Sequence, residues 1–195
     1  MKNRGDVRHK KQARSSANPQ LVRAVVLVGF MGAGKSSVGR ALGRQLGWPF
    51  EDLDERIEQR ESQAIAEIFR VSGEAVFRRI EHVALRKLLA ERRDGSGLVV
   101  ALGGGAFAGE ENIALIAECG SATVFLDAPV EELWRRCQQQ AQEGVNRPLL
   151  AGADQFRELH QARMPHFMKA SLRLETNGKE IEAIALEVAE CLKKT

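Results

Sequence analysis

Residues Gly29-Phe30-Met31-Gly32-Ala33-Gly34-Lys35-Ser36 follow the pattern Gly-x-x-x-x-Gly-Lys-Ser. Glycines at this spacing let the backbone wrap closely and turn its N–H groups inward as a nest for phosphate oxygens. A helix beginning just after them would point its positive dipole end at the same anion. Lys35 can reach β- and γ-phosphates, and the Ser36 hydroxyl can ligate Mg²⁺. Gly32, Ala33, Gly34, Lys35, Ser36 and Ser37 are the expected nucleotide contacts. The run predicts a nucleoside-triphosphate site. It does not say where the phosphoryl group goes, because ATPases, GTPases, helicases and metabolite kinases share it. No Asn-Lys-x-Asp tetrad for reading guanine follows downstream, which argues against a GTPase.

Asp52 and Asp54 come next, two apart at the end of the second expected strand, Phe50 to Asp54. On a strand, a spacing of two places both carboxylates on one face, and in an open α/β sheet the strand ends border the ligand crevice. Mg²⁺ beside Asp52 and a substrate hydroxyl beside Asp54 would relieve their repulsion; helix capping by Asp54 is the competing reading. Arg78 and Arg79 lie between Phe77 and Ile80, so helical spacing turns one of them toward the apolar side, where it needs an anionic partner. Arg147 follows the polar run Gln138 to Asn146, a place from which an arginine on a closing flap can reach transferring phosphate. Arg163 precedes Met164-Pro165. Each arginine alone reads equally as a surface charge.

The segments around these residues alternate between two periods. Ala24 to Val28 and Leu98 to Leu102 are wholly apolar and fit strands buried on both faces, as in a parallel sheet. Phe50 to Asp54, Ala122 to Leu126 and Leu172 to Glu175 read as three further strands. Apolar residues at helical spacing predict helices over Ser36 to Leu46, most of 55–92 with a break at Val71-Ser72-Gly73, Ile113 to Glu118, Glu131 to Gln142, Phe156 to Ser171 interrupted at Pro165, and Lys179 to Lys194. Alternating strands and helices predict an α/β domain with a mostly parallel sheet.

The chain has 195 residues, 44% of them hydrophobic and 28% charged, a composition that excludes a fully disordered protein. No apolar run approaches the roughly 20 residues of a membrane-spanning helix. The net charge of +3 is uneven. Residues 1–23 hold seven Lys/Arg against Asp6 alone, leaving the remainder with 22 basic and 25 acidic side chains. The high isoelectric point thus belongs to the first residues rather than to a folded basic face, so no nucleic-acid partner is expected. Residues 1–22 are expected to form a basic flexible tail, and 23–195 a single kinase domain. Three scattered cysteines suggest neither a disulfide framework nor a zinc cluster, and a cytoplasmic setting is expected.

Taken together, the phosphate loop, Phe50-Glu-Asp52-Leu-Asp54, Ile65-Ala-Glu-Ile68-Phe69, Phe77-Arg78-Arg79-Ile80-Glu81, Gly103-Gly104-Gly105, Arg147-Pro148-Leu149-Leu150 and Arg163-Met-Pro165 resemble the shikimate kinase family, from about Val25 to Asn177. The resemblance implies the P-loop, nucleoside-monophosphate-kinase-like fold: three α/β/α layers, a five-stranded parallel sheet, a substrate-binding region over about 54–83 and a lid over about 138–150. It implies transfer of the γ-phosphoryl group of ATP to shikimate with Mg²⁺, by a monomer without nucleic-acid or membrane partners. Under it, Asp54 binds and activates substrate hydroxyls, and Asp52 holds Mg²⁺ through water together with Ser36. Arg78 and Arg163 grip the substrate carboxylate, and the ring lies on Gly103, Gly104 and Gly105. Arg147 meets the phosphates from the lid, Arg136 stacks on adenine, and Lys35, Asp54 and Arg147 carry the catalysis. Leu53, His166-Phe167 and a longer stretch between Arg136 and Arg147 depart from the family's common pattern. The alternatives are a gluconate-type sugar-acid kinase and a catalytically silent binding protein.

Overall fold

The computed structural model describes residues 24–91, 97–142 and 152–193. Residues 1–23 and the Arg147 segment, on which the tail and most of the lid were expected, lie outside them. Five strands form one sheet: β1 (Ala24–Val28), β2 (Phe50–Asp52), β3 (Leu98–Ala101), β4 (Ala122–Asp127) and β5 (Leu172–Glu175). Their order is β2-β3-β1-β4-β5, and every pairing is parallel. The continuous apolar character of β1 and β3 has its reason here: all nine of their residues are buried, because helices cover both faces of a parallel sheet.

The helices are α1 (Lys35–Leu46), α2 (Leu53–Glu61), α3 (Ile65–Ala90), α4 (Glu110–Glu118), α5 (Val130–Gln142), α6 (Ala153–Phe167) and α7 (Ile181–Leu192). The expected break in α3 is real, with Gly73 at φ 78° and ψ 169° inside it. A second break, at Ser62 with φ 52°, separates α2 from α3 and carried no glycine or proline to announce it. Pro165 lies near the end of α6 without dividing it.

The expected strand Phe50 to Asp54 needs correction. It ends at Asp52, and Asp54 belongs to the first turn of α2. The two acids are therefore not alternate residues on one strand face. Asp52 Oδ1 accepts from the backbone N–H groups of Asp54 (3.0 Å) and Glu55 (3.5 Å), so the helix is capped by Asp52 rather than by Asp54.

This topology fixes where a ligand goes. From β1 the chain passes to β2 on one side, fills in β3, and then crosses to β4 on the other side of β1. A ligand crevice opens beyond the carboxyl ends of strands at such a reversal. The loop after β1, the start of α2 and the glycine turn after β3 all face that end.

Candidate active site

The loop between β1 and α1 is built to accept an anion. Gly32 and Gly34 have φ of 79° and 81°, a conformation costly to any residue with a Cβ. A methyl group at Gly32 would also lie 2.6 Å from the carbonyl oxygen of Leu133 on α5. Helix α1 begins at Gly34 with no side-chain cap and no acidic residue in its first turn, which leaves its positive end available to phosphate. The ammonium of Lys35 folds back over the loop and donates to the carbonyls of Gly29 (2.9 Å) and Phe30 (3.1 Å).

Ser36 Oγ donates to Asp52 Oδ2 at 2.6 Å. With Oδ1 committed to the cap, Asp52 thus spans the helix start and the phosphate loop. This hydroxyl–carboxylate pair fits a Mg²⁺ site of the kind that borrows most of its oxygens from phosphate and water. The described residues hold no cluster of three or more His, Cys, Asp or Glu side chains able to cage a metal by themselves.

The opposite wall is made of charged side chains laid on the glycine turn. A methyl group at Gly103 would meet Asp54 Oδ1 at 2.4 Å, one at Gly104 would meet Arg163 Nη1 at 3.0 Å, and one at Gly105 would meet Arg78 Nη2 at 2.5 Å. Three successive glycines thus admit one acid and two guanidinium groups to a single surface.

Arg78 is the arginine of the Arg78-Arg79 pair that turns inward; Arg79 is exposed. It donates to Glu81 Oε2 at 2.9 Å and to Glu74 Oε1 at 3.0 Å. Burial opposes its charge, but Glu81 and then Glu74 outweigh that and hold its pKa above the usual arginine value. Glu81, with 1% of its surface exposed, is pushed up by burial against the pull of Arg78. Its sequence position alone did not single out this pairing with Arg78; the i, i+3 spacing was the available signal.

Arg163 contrasts with Arg78. Burial, and then repulsion by Arg78, lower its pKa, and among the described residues no carboxylate forms an ion pair with it. Its guanidinium carbon lies 5.9 Å from the centre of the Phe30 ring. Phe30 also packs edge-on against Phe156 and His160 of α6, tying the phosphate loop to the helix that carries Arg163. A cavity of about 500 Å³ lies beside the two arginines and is also walled by Glu74, Glu81, Glu110, Glu111, Gly105 and Asn112. The two guanidinium groups repel each other, and an anion held between them would relieve that repulsion.

Arg136 stands on α5, one turn after Leu133, whose backbone touches Gly32. Its Nε donates to Glu132 Oε1 at 2.7 Å, and Arg135 together with Arg136 holds the Glu132 carboxyl down at about 2. Arg147 lies outside the described residues, and of the segment 138–150 residues 138–142 form the end of α5.

An all-parallel sheet with a phosphate loop at its reversal point, an acid on the facing helix and two arginines alongside mark a P-loop kinase of small molecules. Residues 31–193 match the family model described as shikimate kinase. The chain is 42% identical over 176 residues to a shikimate kinase of Cereibacter sphaeroides, covering 89% of this chain and 84% of that protein. It is 37% identical to one from Persephonella marina, covering 86% and 97%. Among solved structures, shikimate kinase from Acinetobacter baumannii in complex with shikimate superposes with a TM-score of 0.79 at 33% identity, covering 89% of this chain and 94% of that one. The chain belongs to the shikimate kinase family, whose phosphoryl donor is ATP. A gluconokinase from Sinorhizobium meliloti, 18% identical over 89% of this chain and 93% of its own with a TM-score of 0.59, shares the fold alone.

Proposed function

We propose that the protein transfers the γ-phosphoryl group of ATP to the 3-hydroxyl of shikimate, giving shikimate 3-phosphate and ADP on the route to chorismate and the aromatic amino acids. The observation that carries this reading is the pair Arg78 and Arg163. Two desolvated guanidinium groups share one glycine turn with Asp54, which suits a substrate with a carboxylate at one end and hydroxyls at the other.

The placement of the residues supports the following roles. The loop N–H groups and the start of α1 bind the phosphates, with Gly32, Ala33, Gly34, Ser36 and Ser37 lining the run. Lys35 swings from the Gly29 and Phe30 carbonyls to the β- and γ-phosphate oxygens and neutralises charge that builds there. Ser36 and Asp52 would hold Mg²⁺, which when bound supplies positive charge to the phosphate oxygens. Asp54 accepts a hydrogen bond from the substrate hydroxyl, orients its oxygen toward the γ-phosphorus and takes the proton as the new P–O bond forms and the β–γ bridge breaks toward ADP. Arg78, held by Glu81, and Arg163 clamp the carboxylate, while Gly103, Gly104 and Gly105 allow the ring to lie close. Arg136 is the residue that would meet adenine, and Arg147, outside the described residues, the one that would meet the phosphates. No helix among the described residues is long and apolar enough to cross a membrane, and the reading extends to a cytoplasmic monomer.

A coupled assay of ADP release, run with shikimate and with gluconate, tests the proposal. Turnover with shikimate and none above background with gluconate is expected. Turnover with gluconate alone, or with neither, would overturn it.

A further inference from the structure

Asn112, in the first turns of α4, is one of the few buried polar side chains, with 5% of its surface exposed. Its Nδ2 donates to the carbonyl of Ala106 at 2.9 Å. A carbonyl can only accept, so this bond fixes the orientation of the amide and turns Oδ1 the other way. There Oδ1 meets His82 Nδ1 at 2.8 Å, and His82 must carry its proton on Nδ1 to donate.

The two bonds tie together α3, α4 and the turn after β3, which also pack against one another. Ala106 N–H donates to the carbonyl of Gly103 at 3.1 Å, and Ala108 N–H to that of Gly105 at 3.1 Å, so Ala106 closes the glycine turn. His82 stands one helical turn after Arg78 and next to Glu81 on α3. The contacts form a ring: Arg78 along α3 to His82, across to Asn112, on to Ala106, and back through Gly105 to Arg78. The same turn touches Asp54 through Gly103.

We propose that Asn112 and His82 are positioning residues which lock the glycine turn to α3 and thereby set the distance between the carboxylate clamp, Arg78, and the hydroxyl acceptor, Asp54. The inference rests on the functional reading above. Because reaction rates and affinities respond to displacements of about 1 Å, an untied turn weakens substrate recognition while the phosphate loop, on another strand, is untouched.

The test compares Asn112→Ala, His82→Leu and His82→Asn, the last of which can place an amide N–H where Nδ1 stood. KM for shikimate is expected to rise about threefold to tenfold in the first two, the size of one net buried hydrogen bond, with KM for ATP within about twofold, and to return toward wild type in His82→Asn. A parallel rise in both KM values, or identical behaviour of His82→Leu and His82→Asn, would overturn the proposal. Should Asn112→Ala fail to fold, the two His82 variants, only partly buried at that side chain, decide it. Amide exchange over Gly103–Ala108 in the substrate-free protein reads the tie independently of the reaction. It should quicken in His82→Leu and not in His82→Asn, and unchanged exchange in both would refute the lock even if shikimate proved not to be the substrate.

Discussion

At the nucleotide end, one contiguous run from Gly29 to Ser36 supplies the anion site, largely from backbone N–H groups and a helix terminus. At the proposed substrate end, Asp54 comes from α2, Arg78 and Glu81 from α3, the glycines from the turn after β3 and Arg163 from α6. The first site is held by local conformation, such as the positive φ of Gly32 and Gly34. The second is held by packing: three glycines must remain bare for three charged groups to converge. A backbone-built site serves any nucleotide enzyme, whereas a side-chain-built site chooses the substrate. Disturbing one end should therefore change chemistry with ATP, and disturbing the other should change recognition of shikimate.

The largest effect is expected at Lys35. Replacing it with Ala removes the fixed cation from the β/γ-phosphates, and steady-state turnover should fall by about a thousandfold or more, with shikimate binding by calorimetry little altered. Turnover near wild type would place catalysis away from the loop.

Asp54→Asn comes next. It keeps a hydrogen-bond acceptor but removes the proton acceptor, so kcat should fall about a hundredfold or more while KM for shikimate moves only a few-fold. The cap of α2 is Asp52, so the melting temperature should hold. Full turnover in this variant would leave Asp54 with no part in proton transfer.

Arg163→Ala should raise KM for shikimate about ten- to a hundredfold, from loss of a charge-assisted bond of roughly 1.5–3 kcal/mol. KM for ATP should change far less, and comparable rises in both would erase the distinction between the two ends. A smaller effect is expected from Gly105→Ala. The backbone there has φ of −109° and tolerates alanine, but the new methyl would force the Arg78 guanidinium aside. KM for shikimate should rise by about threefold to tenfold at an unchanged melting temperature.

The smallest effect concerns the contact between the two ends. Burial lowers the pKa of His160, against a weaker opposing pull from Asp127, and its ring packs on Phe30 of the phosphate loop. A base whose pKa is depressed on folding gives stability that is present above its unfolded value, 6.5, and is lost as pH falls through the folded value. Melting temperature should therefore drop as pH falls below about 6.5, and His160→Gln should flatten that slope. An unchanged slope would show that other groups set it.

The legibility of each region followed the range of the forces that build it. The phosphate loop, β1 and β5 could be read from the sequence because glycine conformation, burial on both faces and short-range periodicity act within a few residues. That one of Arg78 and Arg79 turns inward was recognisable because Phe77 and Ile80 flank the pair; which one it is came from the family resemblance. The break at Ser62 and the end of β2 at Asp52 were not legible, since the first is a left-handed non-glycine residue and the second depends on which acid turns back to cap α2. Nor could spacing alone show that each glycine of the triplet accommodates a different charged group, or that Glu81 is buried against Arg78. The sequence by itself determined a mostly parallel α/β domain with its phosphate loop after the first strand, because those features arise from neighbouring residues. Only the tertiary structure decided that Asp54, Arg78 and Arg163 meet on one glycine turn, because residues over a hundred positions apart are brought together by the strand order of the sheet and by nothing local.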